Sequence, residues 1–324
     1  MTRLFAAAVL SFALASPAAA AEKGTVRVEC PADATAGVPE RYRLPACSFE
    51  YAFAPRMRLR HSGVDVFDLT FPSPVKSGVE RNDTVHAEFF VPAERVGKVP
   101  AVIVLDIMDG AGVVSRGQAM WLAQSGVAAL VVHMPYYGPR RTPGSKVRLV
   151  STDLARTVEG VRQLVLDCRC ATAWLASRPE VDADRLGLVG TSLGSLMGAN
   201  VAAAEPRLKS VCLLLTGGGL FDAYTDHPLA KPYLSVFSAV GGTKAIKGAI
   251  APVDPITHAP ALKGKSLLIV AASRDEVVPP KAAEALWAAS GKQKLVWLDA
   301  THVGSAVFVF PMMKAVVSHL KGSP

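Results

Sequence analysis

From residue 64 onward, short apolar runs of strand character alternate with longer segments whose apolar positions recur at helical spacing. Residues 64–71 and 84–91 set apolar and polar side chains on alternate positions, as half-buried, antiparallel strands do. Residues 99–105 are apolar throughout, the pattern of a strand covered on both faces, and 127–132 follow the same pattern. Four further apolar runs, at 185–189, 211–215, 267–271 and 295–298, predict later strands. Between these lie a helical segment around 118–124 and a long helix from an Asp153 N-cap to residue 177. The long helix carries Leu154, Val158, Val161, Leu164, Val165 and Trp174 on its apolar positions. A third apolar helical run covers 193–204. Strand and helix in alternation predict an α/β class protein, with a mostly parallel central sheet and helices on both faces.

The two ends of this pattern differ from its middle. Arg3, an apolar run at 4–15 and the small residues Ser16, Pro17, Ala18, Ala19 and Ala20 form a signal-peptide pattern over 1–21, with cleavage after Ala20 or Ala21. The expected location is therefore periplasmic or secreted. The apolar run is shorter than the ~20 residues a bilayer-spanning helix needs, so no stable membrane insertion is expected. Residues 22–63 are irregular and read as an N-terminal extension, leaving 64–324 as the main domain. Residues 217–260 are rich in Gly, Pro and aromatics with weak periodicity. They predict either a short cap over the carboxyl edge of the sheet or an ordinary helix with long loops.

With 50% hydrophobic residues, the chain can build a deep core. Its formal charge of +8 drops to +7 without Arg3, and no basic run interleaves with aromatics, so nucleic acid is not expected as a partner. Five cysteines cannot all pair. Cys30 and Cys47 are the expected disulfide in an oxidising compartment. Cys168 and Cys170 lie two apart on a helix and point to different faces, and Cys212 reads as a small buried strand residue. No C-x-x-C pair or histidine cluster predicts a metal site.

Chemistry enters at Gly190-Thr191-Ser192-Leu193-Gly194, where the strand ending at 189 meets the helix at 193. G-x-S-x-G alone arises by chance in roughly one chain in ten of this length at average glycine usage. Its position sharpens it, since a tight strand-to-helix turn tolerates only small residues beside the serine and leaves its hydroxyl exposed. The first N–H groups of the helix carry partial positive charge, which makes Leu193 N–H a candidate oxyanion donor. A serine needs an imidazole base, and the imidazole needs an acceptor to hold its tautomer. Asp275 follows the strand at 267–271, and His302 follows the strand at 295–298, both leaving the same sheet edge as Ser192. The order Ser192, Asp275, His302 is the one used by strand–turn–helix hydrolases.

With these residues the chain resembles the α/β-hydrolase superfamily, in particular its dienelactone-hydrolase-like and acetyl-xylan-esterase-like branch. The resemblance rests on residues 102–112, 174–182, 187–195, Asp254-Pro255-Ile256, 275–279 and His302. It implies the α/β-hydrolase fold, with Ser192 as nucleophile, His302 as base and then acid, Asp275 as orienting carboxylate and no cofactor. The implied activity is an exported serine hydrolase of small carboxylic esters, with short acyl groups such as acetyl preferred. One departure stands out: members of the branch commonly carry His-Gly after the strand ending at 105, where this chain has Asp106-Ile107. Met108 N–H is the first choice for the second oxyanion donor and Ile107 N–H the second. Asp106 and Asp109 would bring negative charge near the site and disfavour anionic substrates.

Other assignments stay open on sequence alone. Asp222 is an alternative acid, whereas Glu276 is expected to point elsewhere. His133 reads as structural, His227 and His258 as either substrate contacts or solvent-facing, and Tyr136 and Tyr137 as either pocket lining or packing. The rival functions are a non-catalytic binding protein on this fold, a peptidase, or an acyltransferase using the same residues. The oligomeric state cannot be read from the pattern.

Overall fold

The computed structural model describes residues 21–29, 37–225 and 242–322. The signal-peptide pattern, Cys30 and His227 lie outside them, as does the centre of the expected cap, 226–241. Ten strands form one sheet in the order β1-β2-β3-β4-β6-β5-β7-β8-β9-β10. The alternating segments at the start, β3 (Val64–Pro72) and β4 (Thr84–Pro92), pair antiparallel, and β4 runs antiparallel to β6 (Ala128–Val132). From β6 onward the neighbours are parallel: β5 (Val99–Leu105), β7 (Val181–Thr191), β8 (Leu208–Leu214), β9 (Ser266–Ala272) and β10 (Lys294–Leu298).

Period-two geometry sorts the buried strand residues into two cores. Ala101, Ile103 and Leu105 of β5 face one side, with Leu164 and Trp174 of α2 (Leu154–Ser177) and Leu196 and Val201 of α3 (Leu193–Ala204). Val102 and Val104 face the other, against Ala119 and Leu122 of α1 (Val113–Gln124) and Met312, Val316 and Leu320 of the C-terminal helix, Val309–Lys321. Every residue of β5 is buried, as its unbroken apolar run requires. Helix α2 begins as expected, with the Asp153 side chain accepting the Arg156 N–H.

The segment read as an N-terminal extension does not stand apart from the sheet. Residues Glu22–Val28 form β1 and Cys47–Leu59 form β2, and both extend the antiparallel edge. In β2 a register shift between Pro55 and Met57 breaks the alternation, because proline cannot donate to the ladder. The aromatic positions Phe49 and Phe53 nonetheless pack into the first core. Cys168, Cys170 and Cys212 are buried thiols, and burial pushes each of them up in pKa. No helix among the described residues is long and apolar enough to cross a membrane.

Only the flanks of 217–260 are described, as three short helices: α4 (Leu220–Tyr224), α5 (Gly242–Ile250) and α6 (Pro255–His258). Asp254 ties the start of α4 to α6 by accepting from Gly219 N–H at 2.8 Å, Leu220 N–H at 2.6 Å and Ile256 N–H at 3.1 Å.

Candidate active site

Parallel pairing brings the ends of β5, β7, β8, β9 and β10 to one edge. Leu105 lies beside Gly190, Thr191 beside Leu214, Leu214 beside Val270, and Leu298 beside Ala272. The loops leaving these ends carry Asp106–Met108, Ser192, Asp275 and His302, so residues far apart in the chain emerge together.

Ser192 sits between β7 and α3 with φ 53° and ψ −119°. A non-glycine residue there carries backbone strain of about 1–3 kcal/mol. Neighbouring glycines permit the turn: a Cβ on Gly190 would stand 2.3 Å from the carbonyl oxygen of Gly194, and one on Gly194 would stand 2.3 Å from that of Leu105 and 2.4 Å from that of Asp106. The second contact presses the elbow against the start of the 106–112 loop. Gln118 Nε2 donates to Thr191 Oγ1 at 2.8 Å and ties α1 to the same turn.

His302 Nε2 lies 2.9 Å from Ser192 Oγ, and its Nδ1 lies 2.8 and 2.9 Å from the two carboxylate oxygens of Asp275. The Asp275 side chain is 2% exposed. Its Oδ1 also accepts the N–H groups of Val277 at 2.8 Å and Val278 at 2.7 Å. Against such a carboxylate, Nδ1 must carry the proton, which leaves Nε2 of a neutral ring to accept from the serine hydroxyl. This arrangement can withdraw the Ser192 proton as its oxygen attacks a carbonyl.

Glu276, expected to point elsewhere, and Ser305, not singled out from the sequence, hold the histidine loop. Glu276 Oε2 accepts the His302 backbone N–H at 2.8 Å, and that bond holds the Glu276 carboxyl below the usual carboxylate range. Ser305 Oγ donates to the His302 carbonyl at 2.6 Å. Glu276 thus turns to the backbone of His302 and not to its ring. The loops are also sewn together directly, with Arg274 N–H donating to the Ala300 carbonyl at 3.0 Å.

Leu193 opens α3, so its N–H has no intrahelical acceptor. On the facing loop, Ile107 N–H donates to Asp106 Oδ1 at 2.9 Å, whereas Met108 N–H has no hydrogen-bond partner among the described residues. The charges expected near the site are engaged as well. Asp106 accepts three backbone N–H groups, and Asp109 pairs with Arg148 at 3.3 Å.

The remaining sequence candidates fall elsewhere. Asp222 is 72% exposed and pairs with Lys247 at 2.6 Å. His133 Nε2 lies 3.1 Å from Glu88 Oε1. His258 Nε2 lies 3.2 Å from the Pro252 carbonyl and its ring packs edge-on against Tyr42. Tyr136 and Tyr137 are buried, and burial pushes the Tyr137 hydroxyl up to about 12. Among the described residues no three His, Cys, Asp or Glu side chains converge as metal ligands do.

The family model of acetyl xylan esterase matches residues 46–310. The chain belongs to the acetyl xylan esterase family. That match begins just ahead of β2, so the family pattern takes in the antiparallel strands β2–β4 as well as the parallel half, with β1 outside it. Solved structures agree on the fold. Acetyl xylan esterase 1 from Thermoanaerobacterium sp. JW/SL YS485 is 21% identical with a TM-score of 0.63, covering 82% of this chain and 87% of that one. The acetyl xylan esterase from Paenibacillus sp. R4 is 16% identical with a TM-score of 0.67, covering 83% and 88%. The sheet and its flanking helices are thus an α/β-hydrolase fold. A curated relative from Bradyrhizobium sp, named a probable 2-oxo-3-(5-oxofuran-2-ylidene)propanoate lactonase, is 29% identical over 142 residues. The match spans 43% of this chain and 54% of the relative, so this chain spans about half the length of that protein.

Proposed function

We propose that this member of the acetyl xylan esterase family is an exported serine hydrolase of small carboxylic esters, with acetyl and other short acyl groups preferred. The observation that carries the reading is the continuous path of hydrogen bonds from Asp275 through His302 to Ser192 Oγ, on an elbow that exposes the hydroxyl. In the first half-reaction, His302 Nε2 takes the hydroxyl proton as Ser192 Oγ bonds to the carbonyl carbon. The carbonyl oxygen gains the charge and is met by the N–H groups of Leu193 and Met108. His302 then passes its proton to the leaving alkoxide, and the alcohol departs from an acyl-serine. In the second half, His302 takes a proton from water as the water oxygen attacks the acyl carbon, and returns it to Ser192 Oγ as the acid leaves.

No metal or organic cofactor enters these steps. The family and the similar esterases support the acetyl preference, and the signal pattern at 1–21 supports export. The Bradyrhizobium relative favours a second substrate class, since the same acylation opens a lactone with the alcohol still tethered to the acyl group.

Labelling the purified protein with a fluorophosphonate, followed by peptide mapping, tests the reading. Modification at Ser192, absent in Ser192→Ala, is expected, together with release of acetate from acetylated xylo-oligosaccharides or 4-nitrophenyl acetate. Folded protein that neither labels nor turns over an ester or lactone would instead support a non-catalytic binding role. N-terminal sequencing of the protein recovered from fractionated cells tests export, with Ala21 or Glu22 expected as first residue.

A further inference from the structure

The 106–112 loop, between β5 and α1, is folded around one carboxylate. Asp106 Oδ1 accepts the N–H groups of Ile107 at 2.9 Å and Ser115 at 3.2 Å, and its Oδ2 accepts that of Gly112 at 2.7 Å. Gly112 is the N-cap of α1 and has no side chain to cap it, so Asp106 serves from six residues upstream and complements the positive end of the helix. The backbone needs such support: Asp109 at φ 50°, Ala111 at φ 48° and Gly112 at φ 82° are all left-handed. A Cβ on Gly110 would stand 2.9 Å from Asp106 Oδ2 and 2.5 Å from Ile107 Cγ1, which shows how closely the carboxylate fills the interior of the loop. Arg116 adds a second anchor. Its Nη1 donates to the Ala111 carbonyl at 3.0 Å while its Nε and Nη2 hold Glu88 at 2.8 and 2.6 Å.

The same carboxylate decides which backbone donors remain. Ile107 N–H is committed to a charge-assisted bond and cannot turn to a substrate without breaking it. Met108 N–H, one residue on, is uncommitted, and the carbonyls of Leu105 and Asp106 rest against Gly194 beside Leu193. We propose that Asp106 is a positioning residue for the ester hydrolysis described above. Its carboxylate locks the loop so that Met108 N–H, and not Ile107 N–H, joins Leu193 N–H at the developing oxyanion. Asp106 itself touches no substrate.

This inference rests on the hydrolase reading, so Ser192→Ala is measured alongside as the blank. In Asp106→Asn one accepting oxygen becomes an NH2 group that faces loop N–H donors. The expected result is a fall in kcat for 4-nitrophenyl acetate of about 10²-fold, the range for loss of one oxyanion donor. KM should stay within about threefold, because a donor that acts on the transition state leaves ground-state binding alone. The pH at which kcat declines should not move, since the bonds of His302 are untouched. Circular dichroism and thermal unfolding establish that the variant is folded. A folded Asp106→Asn protein with wild-type kcat, with a loss confined to KM, or with a displaced pH limb would overturn the proposal. Should that variant fail to fold, Gly110→Ala keeps the carboxylate but drives a methyl group against it. It should lower kcat at least tenfold at constant KM, and an unchanged kcat overturns the proposal equally. A wild-type protein without Ser192-dependent turnover overturns the hydrolase reading and this inference together, whereas normal wild-type turnover with an indifferent Asp106 overturns this inference alone.

Discussion

His302 Nε2 stands 2.9 Å from Ser192 Oγ although the two residues are 110 positions apart in the chain. The contact exists because β7 and β10 end at the same edge of the sheet, with β8 and β9 between them setting the spacing. Loop contacts finish the placement, through Glu276 and Ser305 on the backbone of His302 and the glycines around Ser192.

Ser192 holds a left-handed backbone for the sake of its hydroxyl. Ser192→Ala should therefore reduce kcat by at least about 10⁴-fold while the protein stays folded. Ser192→Gly should be equally inactive yet more stable than wild type by about 1 kcal/mol, because glycine adopts that conformation without strain. Urea unfolding of the three proteins, side by side with their turnover, checks both halves. A Ser192→Gly protein less stable than Ser192→Ala would refute the strain argument.

Two aspartates compete as partner of His302 on sequence grounds, and their surroundings differ. Asp275 is buried against the imidazole, whereas Asp222 is exposed and bound to Lys247. Asp275→Asn should lower kcat by about 10⁴-fold, since the amide disfavours the tautomer the base needs. Asp222→Asn should stay within about threefold of wild type, as expected for an exposed ion pair. Steady-state kinetics on the two variants decides the matter, and a reversed order would move the acid to Asp222.

Packing around the elbow leaves no room for a methyl group. Gly194→Ala should cost about 3 kcal/mol or more in stability and abolish turnover, because its Cβ would fall 2.3 Å from the Leu105 carbonyl oxygen. Gly117, in the middle of α1, has nothing within 4 Å of where its Cβ would lie. Gly117→Ala should instead stabilise the protein by about 0.5–1 kcal/mol. Melting temperatures should move in opposite directions.

Glu88 links strand β4 to α1. Burial works against its charge, but hydrogen bonds from Arg116 and His133 outweigh that effect and hold its carboxyl well below the usual carboxylate range. In the window below about pH 5 the unfolded chain therefore binds a proton that the folded chain does not, so this stabilisation is complete above that window and is lost progressively as the pH falls toward the depressed folded-state value. Glu88→Gln should reduce stability at neutral pH by about 2 kcal/mol. It should also make the decline in unfolding free energy across that window shallower, as followed by urea titrations at several pH values. An unchanged slope would show that Glu88 does not contribute to the acid sensitivity.

Much of this molecule was legible before any coordinates. The helix at 193–204 and the strand at 99–105 coincide with the expected segments to the residue, and the Asp153 cap lies where the pattern put it. Strands β1 and β2 were not legible, because an edge strand interrupted at Pro55 has an incomplete alternation and draws its stability from the partner it pairs with. The Glu276 contact carries no local signature, since its partner is the backbone of a residue on another loop.

Residue order and periodicity alone determined the α/β class and the elbow at Ser192, because strand and helix periods and a tight turn are set within a few positions of each other, and they named the candidate side chains. Tertiary structure decided which aspartate stands beside His302, which N–H of the 106–108 segment is left unbonded, and where Asp106 and Asp109 direct their charge. The first outcome depends on β9 and β10 ending side by side, and the others on how the 106–112 loop closes around the Asp106 carboxylate and meets Arg148, and a local apolar pattern encodes neither.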